Sequence, residues 1–282
     1  MNREPLRPLT DDEIGAFRAD GVVCLRGLFD ADWVARMRQA ADDCLARPGK
    51  MALEMADARS EPGRFFHEHF AWTHNADCRA LVFESPAAEI AARCMGAGRV
   101  NIFFDQWLIK EPGSPSETPW HHDRPYWPVE GDMVSTLWLA LDPVTAETGA
   151  VEFVAGSHRW GAEYQPEAFI GDGRYTPRLP PVPDIEAERS RHRILQWDLA
   201  PGDCTVHHGL TMHHAPGNAS PTARRRAIVT RWAGDDATYA PRPDIMPMLR
   251  DPEIPAGGPL TCDLWPEIWR DGGHNGGHDG GC

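Results

Sequence analysis

Three things are missing or scarce in this sequence, and each absence removes a class of explanation. No apolar run approaches the roughly 20 residues that cross a bilayer, and the opening MNREPLRPLTDDE has no apolar stretch of the kind a secretory signal carries. Positive charge is in deficit: 28 Lys and Arg stand against 42 Asp and Glu, a formal charge of −14. That balance argues against nucleic acid or an anionic membrane as partner, since both are bound through clustered cations. Paired cysteines are absent. The seven cysteines, at 24, 44, 78, 94, 204, 262 and 282, are odd in number and scattered, without a CxxC pair. Such thiols suit a reducing cytoplasm better than a disulfide framework. The expectation is a cytoplasmic globular protein that handles a small molecule.

What is present is unusual in Trp (11), Pro (26) and His (13). Thr10 and Glu13 form a capping box that opens a short helix through Ile14 and Phe17, stopping before Gly21. Val22-Val23-Cys24-Leu25 reads as a strand. Asp30 reads as the N-cap of a second helix, with Trp33, Met37 and Ala41 at helical spacing, reaching about Ala46. Residues 50–80 carry no clear period. From about residue 100 the texture changes to short strands rich in β-branched and aromatic residues: Val100–Ile109, Val134–Leu141, Gly149–Val154, Cys204–His208 and Ala227–Trp232. Turn chemistry separates them, as in Glu111-Pro112-Gly113 and Pro201-Gly202-Asp203. Many short strands without alternating helices predict a mainly β fold, a sandwich or jelly-roll barrel. One domain is expected over residues 1–270, helical through about 95 and β from about 98 to 240. The Pro-rich stretch 166–193 reads as a long loop of the kind that covers sites, and the Gly/His tail 271–282 as disordered.

The histidines concentrate in two places. In Trp120-His121-His122-Asp123, an extended backbone puts His121 and Asp123 on one face and His122 on the other. The second place is His207-His208 and His213-His214. One imidazole from here would complete a two-His, one-carboxylate facial triad, the pattern of non-haem Fe(II) oxygenases, although His and Asp also suit Zn(II). No HExxH is present.

These residues sit within a longer pattern. Leu9-Thr10…Phe17…Asp20-Gly21, Asp105-Gln106…Lys110-Glu111-Pro112-Gly113, Trp120-His121-His122-Asp123, Leu137-Trp138-Leu139-Ala140-Leu141-Asp142, Gly156-Ser157-His158, Gly202-Asp203 and His213…Asn218…Arg224 follow one another in order. In this the chain resembles the phytanoyl-CoA dioxygenase family, which includes ectoine hydroxylase. The resemblance implies a double-stranded β-helix of the cupin-like jelly-roll type with flanking N-terminal helices. It implies Fe(II) as cofactor and 2-oxoglutarate and O2 as co-substrates, with hydroxylation of an unactivated C–H bond and release of succinate and CO2. His121, Asp123 and His213 are the implied metal ligands, with His214 standing where the family usually has Gly. Arg224 is implied at the far carboxylate of 2-oxoglutarate; Arg225 and Arg226 follow directly, so one inserted loop residue would move that role. Lys110 and Trp138 are implied as further co-substrate contacts, and Gln106 and Trp127 as contacts of the prime substrate. Trp107 and Tyr126 are additional candidates for pocket walls. The resemblance puts His208 near the metal without ligating it, and strand alternation then turns His207 away. The intact Asp123 favours hydroxylation over halogenation, because related halogenases have a small residue there. A cupin-like metal-dependent isomerase or hydrolase is the alternative; it would keep the triad and need no Arg224. A silent barrel would be expected to lack a ligand.

Overall fold

The computed structural model describes residues 1–54, 63–168 and 175–274. Helix α1 (Asp11–Asp20) has the capping box, and Gly21 ends it at φ 76°. In that left-handed conformation a side chain on residue 21 would collide with His158 and Thr211. Strand β1 (Val22–Leu25) leads to α2 (Ala31–Ala46), whose first turn is capped by the Asp30 carboxylate. Next come β2 (Ala52–Glu54) and β3 (Phe65–His69), then helices α3 (Ala76–Glu84) and α4 (Ala87–Met95). The remaining strands are β4 (Arg99–Lys110), β5 (Thr118–His121), β6 (Val129–Glu130), β7 (Val134–Ala140), β8 (Glu152–Val154), β9 (Ile194–Leu195), β10 (Cys204–His208), β11 (His213–Ala215), β12 (Arg225–Ala233), β13 (Thr238–Tyr239), β14 (Glu267–Arg270) and β15 (Gly273–His274). The five expected strands and first two helices are thus present, and α3 and α4 fall in the part expected to be helical, although the sequence does not place either one individually. Among the described residues no helix is long and apolar enough to cross a membrane.

The major sheet runs β1-β10-β7-β12-β4-β14-β15, with β3 and β2 continuing from the other half of β4. A minor sheet, β5-β11-β8-β9, lies opposite. Pairing in both is antiparallel, and the two sheets make the expected double-stranded β-helix. Each long strand has one apolar face buried under the helices: Leu137, Leu139, Cys204, Val206, Ile228 and Trp232 pack with Trp33, Met37 and Ile90. The opposite face is polar and aromatic and looks into the barrel. On β7 it carries Thr136 and Trp138, on β10 His207, and on β12 Arg225, Val229 and Arg231.

A bulge sets the faces of β4. Arg231 pairs with Phe104 but Trp232 pairs with Ile102, so Phe103 is an extra residue and the parity reverses there. Val100 and Ile102 lie under the helices before it; Trp107 and Ile109 do so after it. Phe104, Gln106 and Leu108 are thereby turned into the barrel. Trp107, expected as a pocket wall, instead lies on the helical side. At the other end of the chain Gly273–His274 folds back on Trp269–Arg270 as an edge strand, and the rest of the Gly/His tail lies outside the described residues.

Asp30 accepts from Trp33 N at 3.0 Å and from Asn2 N at 2.6 Å, so it ties the N-terminus to α2 as well as capping it. Asp30→Ala is expected to lower stability by about 1 kcal/mol, the usual cost of a lost N-cap. Asp32→Ala should move the urea midpoint much less, because the Asp32 carboxylate is exposed and among the described residues meets the N-terminal amine alone, at 3.7 Å.

Candidate metal centre and its cavity

Strands β5 and β11 set His121 directly opposite His213. Their rings lie 4.1 Å apart between centroids. Each ring is oriented through its inner nitrogen: His121 Nδ1 donates to Pro119 O at 2.8 Å and His213 Nδ1 to Thr211 O at 2.9 Å. A carbonyl only accepts, so both protons sit on Nδ1 and both Nε2 lone pairs face the barrel. Asp123 meets them from the turn after β5, with Oδ1 3.8 Å from His121 Nε2 and 4.0 Å from His213 Nε2. Among the described residues His121, Asp123 and His213 form a buried group that offers three ligand atoms within 4.8 Å of one another. Their neighbours point away. His122 Nε2 accepts from Tyr164 N at 2.9 Å, and His214 stacks on Trp120 outside the barrel between Glu117 and Glu152.

The far oxygen of Asp123 is held by the major sheet. Thr136 Oγ1 donates to Oδ2 at 2.8 Å, His207 Nε2 lies 3.3 Å from it, and Arg231 Nε 4.0 Å. Burial opposes ionisation of Asp123, but Arg231 and the His207 hydrogen bond hold its carboxyl well below the usual carboxylate range. Burial works the other way on the imidazoles, pushing His121 down to about 4 and His213 well below its ordinary value. Two neutral imidazoles and one ionised carboxylate, each ring fixed from behind, fit a divalent metal.

The positions of two expected residues are corrected by strand parity. Cys204 and Val206 pack under the helices, so His208 shares their face and His207 points inward with Thr205. It is His207, not His208, that stands beside Asp123; His208 lies against His158, 5.3 Å between rings. The alternation of Cys204 and Val206 with Thr205 and His207 was the available signal. On β12 the same rule separates the arginines. Arg224 is outside, with Nε 2.9 Å from Glu111 and Nη1 2.8 Å from Asp42. Arg226 forks onto Asp142 at 2.9 and 2.8 Å. Arg225 lies between them, 1% exposed, and lines the cavity with its guanidinium 5.5 Å from the Trp138 ring centre. It donates to Gly149 O at 3.1 Å, its Nε has no partner among the described residues, and burial alone pushes its pKa down to about 10. Arg225 opens β12 on the inward-facing parity, and Arg224 falls just before the strand. Lys110 is the cross-strand neighbour of Arg225, yet its Nζ donates to Pro216 O at 2.6 Å and is set back from the cavity wall.

The cavity holds about 310 Å3. Trp138 and Arg225 mark one end; Phe104, Gln106, Tyr126 and Trp127 line the other. The expected loop reaches over it through Glu167, Ala168 and Tyr175. Tyr126 Oη holds that segment, donating to Glu167 O at 3.1 Å and accepting from Glu167 N at 2.9 Å.

The buried histidines give the metal-free protein a definite pH dependence. His208 is pushed down to about 4 like His121, and His67, His122, His158 and His213 are also lowered, burial being the main cause in each. In the unfolded chain these groups titrate near 6.5. Between about pH 6.5 and 4 the unfolded state therefore binds protons that the folded state does not, and stability falls as pH drops. Asp123 works in the same direction on further acidification. Asp105, whose carboxyl burial pushes up to about 7, opposes the trend but is one group against six. The urea midpoint of the metal-free protein should fall steadily from pH 7 to pH 5; a flat or rising midpoint contradicts neutral, buried imidazoles.

Comparison with known proteins agrees with this architecture. A family model described as phytanoyl-CoA dioxygenase matches residues 17–227. The multifunctional dioxygenase prhA of Penicillium brasilianum is 28% identical over 240 residues, covering 81% of this chain and 73% of the relative. The ectoine dioxygenase of Sphingopyxis alaskensis is 28% identical over 235 residues, 79% of this chain and 75% of that one. Among solved structures, the epimerase SnoN in complex with Fe3+, alpha ketoglutarate and nogalamycin RO superposes with a TM-score of 0.71 at 25% identity, over 91% of this chain and 97% of SnoN. The chain belongs to the phytanoyl-CoA dioxygenase family of Fe(II)- and 2-oxoglutarate-dependent oxygenases, whose cofactors its His–Asp–His site fits.

Proposed function

We infer that the protein is a 2-oxoglutarate-dependent dioxygenase that hydroxylates an unactivated C–H bond of a small organic substrate. His121, Asp123 and His213 hold Fe(II). Arg225, in place of Arg224, anchors the far carboxylate of 2-oxoglutarate, with Trp138 beside it. The observation that carries the reading is Arg225 itself. A fully buried guanidinium with no carboxylate partner among the described residues is costly to keep in a folded protein, and a ligand carboxylate in the cavity is the partner that fits it.

Each protein group has a task that its surroundings define. His121 and His213 present fixed Nε2 atoms, and Thr136 with His207 keeps Asp123 Oδ1 turned toward them. Arg225 fixes the co-substrate, and the aromatic walls limit water in the cavity. When bound, Fe(II) with 2-oxoglutarate and O2 supplies the oxidative chemistry, with succinate and CO2 as co-products. No residue needs to act as general base.

A second outcome is favoured by one observation: SnoN is an epimerase. Stereoinversion leaves the substrate mass unchanged, whereas hydroxylation adds one oxygen atom, so product mass separates them. An isomerase or hydrolase without oxygen chemistry would release no succinate.

Anaerobic addition of Fe(II) and 2-oxoglutarate to the metal-free protein should produce a weak visible metal-to-ligand charge-transfer band. The band should persist in His214→Ala and Arg224→Ala and vanish in His213→Ala. Arg225→Ala should raise the 2-oxoglutarate concentration at half-saturation by 100-fold or more, against less than threefold for Arg224→Ala. Bound metal without a band would sink the 2-oxoglutarate reading. Equal effects at the two arginines would sink the assignment to Arg225.

A further inference from the structure

The cavity holds a second buried arginine that the chemistry above does not use for the co-substrate. Arg231 lies on the barrel face of β12, two residues beyond Val229, and is 7% exposed. Its guanidinium sits 4.5 Å from the centre of the Phe104 ring and 5.5 Å from Trp127. Nη2 donates to Gln106 Oε1 at 2.7 Å, while Nε and Nη1 have no hydrogen-bond partner among the described residues. Asp123 does not saturate it, because its nearest approach is 4.0 Å from Nε.

The hydrogen bonds around Arg231 have a fixed direction. An arginine only donates, so the Gln106 oxygen must face it and the Gln106 amide group must face the other way. There, Gln106 Nε2 lies 3.2 Å from His67 Nδ1. The amide donates, hence His67 Nδ1 accepts and the proton of the neutral ring sits on Nε2. Burial keeps that ring neutral by lowering its pKa far below 6.5. His67 Nε2 is also buried and without a partner among the described residues. Gln106 is thus oriented at both ends, its oxygen toward Arg231 and one N–H toward His67, while its second N–H is a further donor at the cavity. It works as a bridge that leaves Arg231 and His67, both in the cavity lining, with unsatisfied donor groups beside Phe65, Phe104 and Trp127.

Unsatisfied buried donors select an acceptor. The local donors select its sign: Lys50 and Glu167 are both exposed and offset each other, Arg225 is taken by the co-substrate, and Arg231 is the buried cation left at this end. The geometry points to a prime substrate that presents a carboxylate on an apolar ring frame, the carboxylate meeting Arg231 and His67 and the frame lying against Phe104, Tyr126 and Trp127. This rests on the oxygenase reading for the identity of the substrate end, while the recognition itself stands on Arg231, Gln106 and His67. A fork of N–H groups suits two carboxylate oxygens, and an ammonium or a hydrogen-bond donor in the same place would leave every wall donor unpaired.

The test compares headgroups on fixed frames. 1-Adamantanecarboxylate, 1-adamantanemethanol and 1-adamantanemethylammonium, and the matching 2-naphthyl series, are titrated calorimetrically into protein loaded with Fe(II) and saturating 2-oxoglutarate under nitrogen. In at least one series the carboxylate should bind 30-fold or more tightly than the alcohol, with no binding of the ammonium. Arg231→Met should reduce that preference below threefold. His67→Phe, which keeps the ring shape and removes the donor, should reduce it about tenfold and guards against misfolding of the arginine variant. The proposal is overturned by equal binding of acid and alcohol, by preference for the ammonium, by no binding in either series, or by a preference that both variants retain. It is also overturned if raising 2-oxoglutarate displaces the acid, which would put it at Arg225. Absence of the charge-transfer band would instead strike the oxygenase reading, while the headgroup preference, measured again on metal-free protein, is judged on its own.

Discussion

A buried carboxylate must be answered from every side, and the answer to Asp123 organises this protein. The residue follows the edge strand of the minor sheet, yet the groups around its outer oxygen come from three neighbouring strands of the major sheet: Thr136, His207 and Arg231. Its inner oxygen faces the two imidazoles that the minor sheet supplies. One side chain thus joins the halves of the barrel at the proposed metal site. The desolvation of a lone carboxylate there would cost several kcal/mol; Thr136, His207 and Arg231 offset it on one side, and a divalent metal in the proposed site would do so on the other.

The same strands serve two different interiors. Under the helices, Leu137, Val206, Ile228 and Trp232 form an apolar layer that gives the sheet its stability. One residue along each strand, the side chains change to Thr136, His207, Val229 and Arg231. The bulge at Phe103 extends this division to β4 by turning Phe104 and Gln106 inward. Without that extra residue the aromatic wall and the Gln106 bridge would face the helices. The cavity then has one arginine at each end, Arg225 by Trp138 and Arg231 by Trp127, each resting on an indole.

Much of this was legible in the sequence. The capping box at Thr10, the cap at Asp30 and the strand Cys204–His208 are local signals, and each produced the element it implied. His121 and Asp123 were legible as a close i, i+2 pair, although Asp123 reaches His121 from a turn with helical dihedrals and not from an extended strand. The identity of the inward arginine was not, since it depends on the length of a loop that Asn218 holds by donating to Lys110 O, Glu111 O and Ala223 O. His207 and His208 are told apart by the apolar alternation of Cys204 and Val206, which the family position of His208 does not follow. Arg231 and His67 gave no signal of their own. Their role follows from Gln106 lying between them, a contact across strands that are distant in sequence.

The phenol of Tyr126 adds a constraint of another kind. Its ring belongs to the short turn that begins at Asp123, and its oxygen holds both backbone polar groups of Glu167 in the segment over the cavity. Roof and ligand loop are therefore fastened by one rivet. The segment above the cavity and the turn that carries Asp123 are thereby tied through one phenol oxygen, so a substitution at Tyr126 touches both at once.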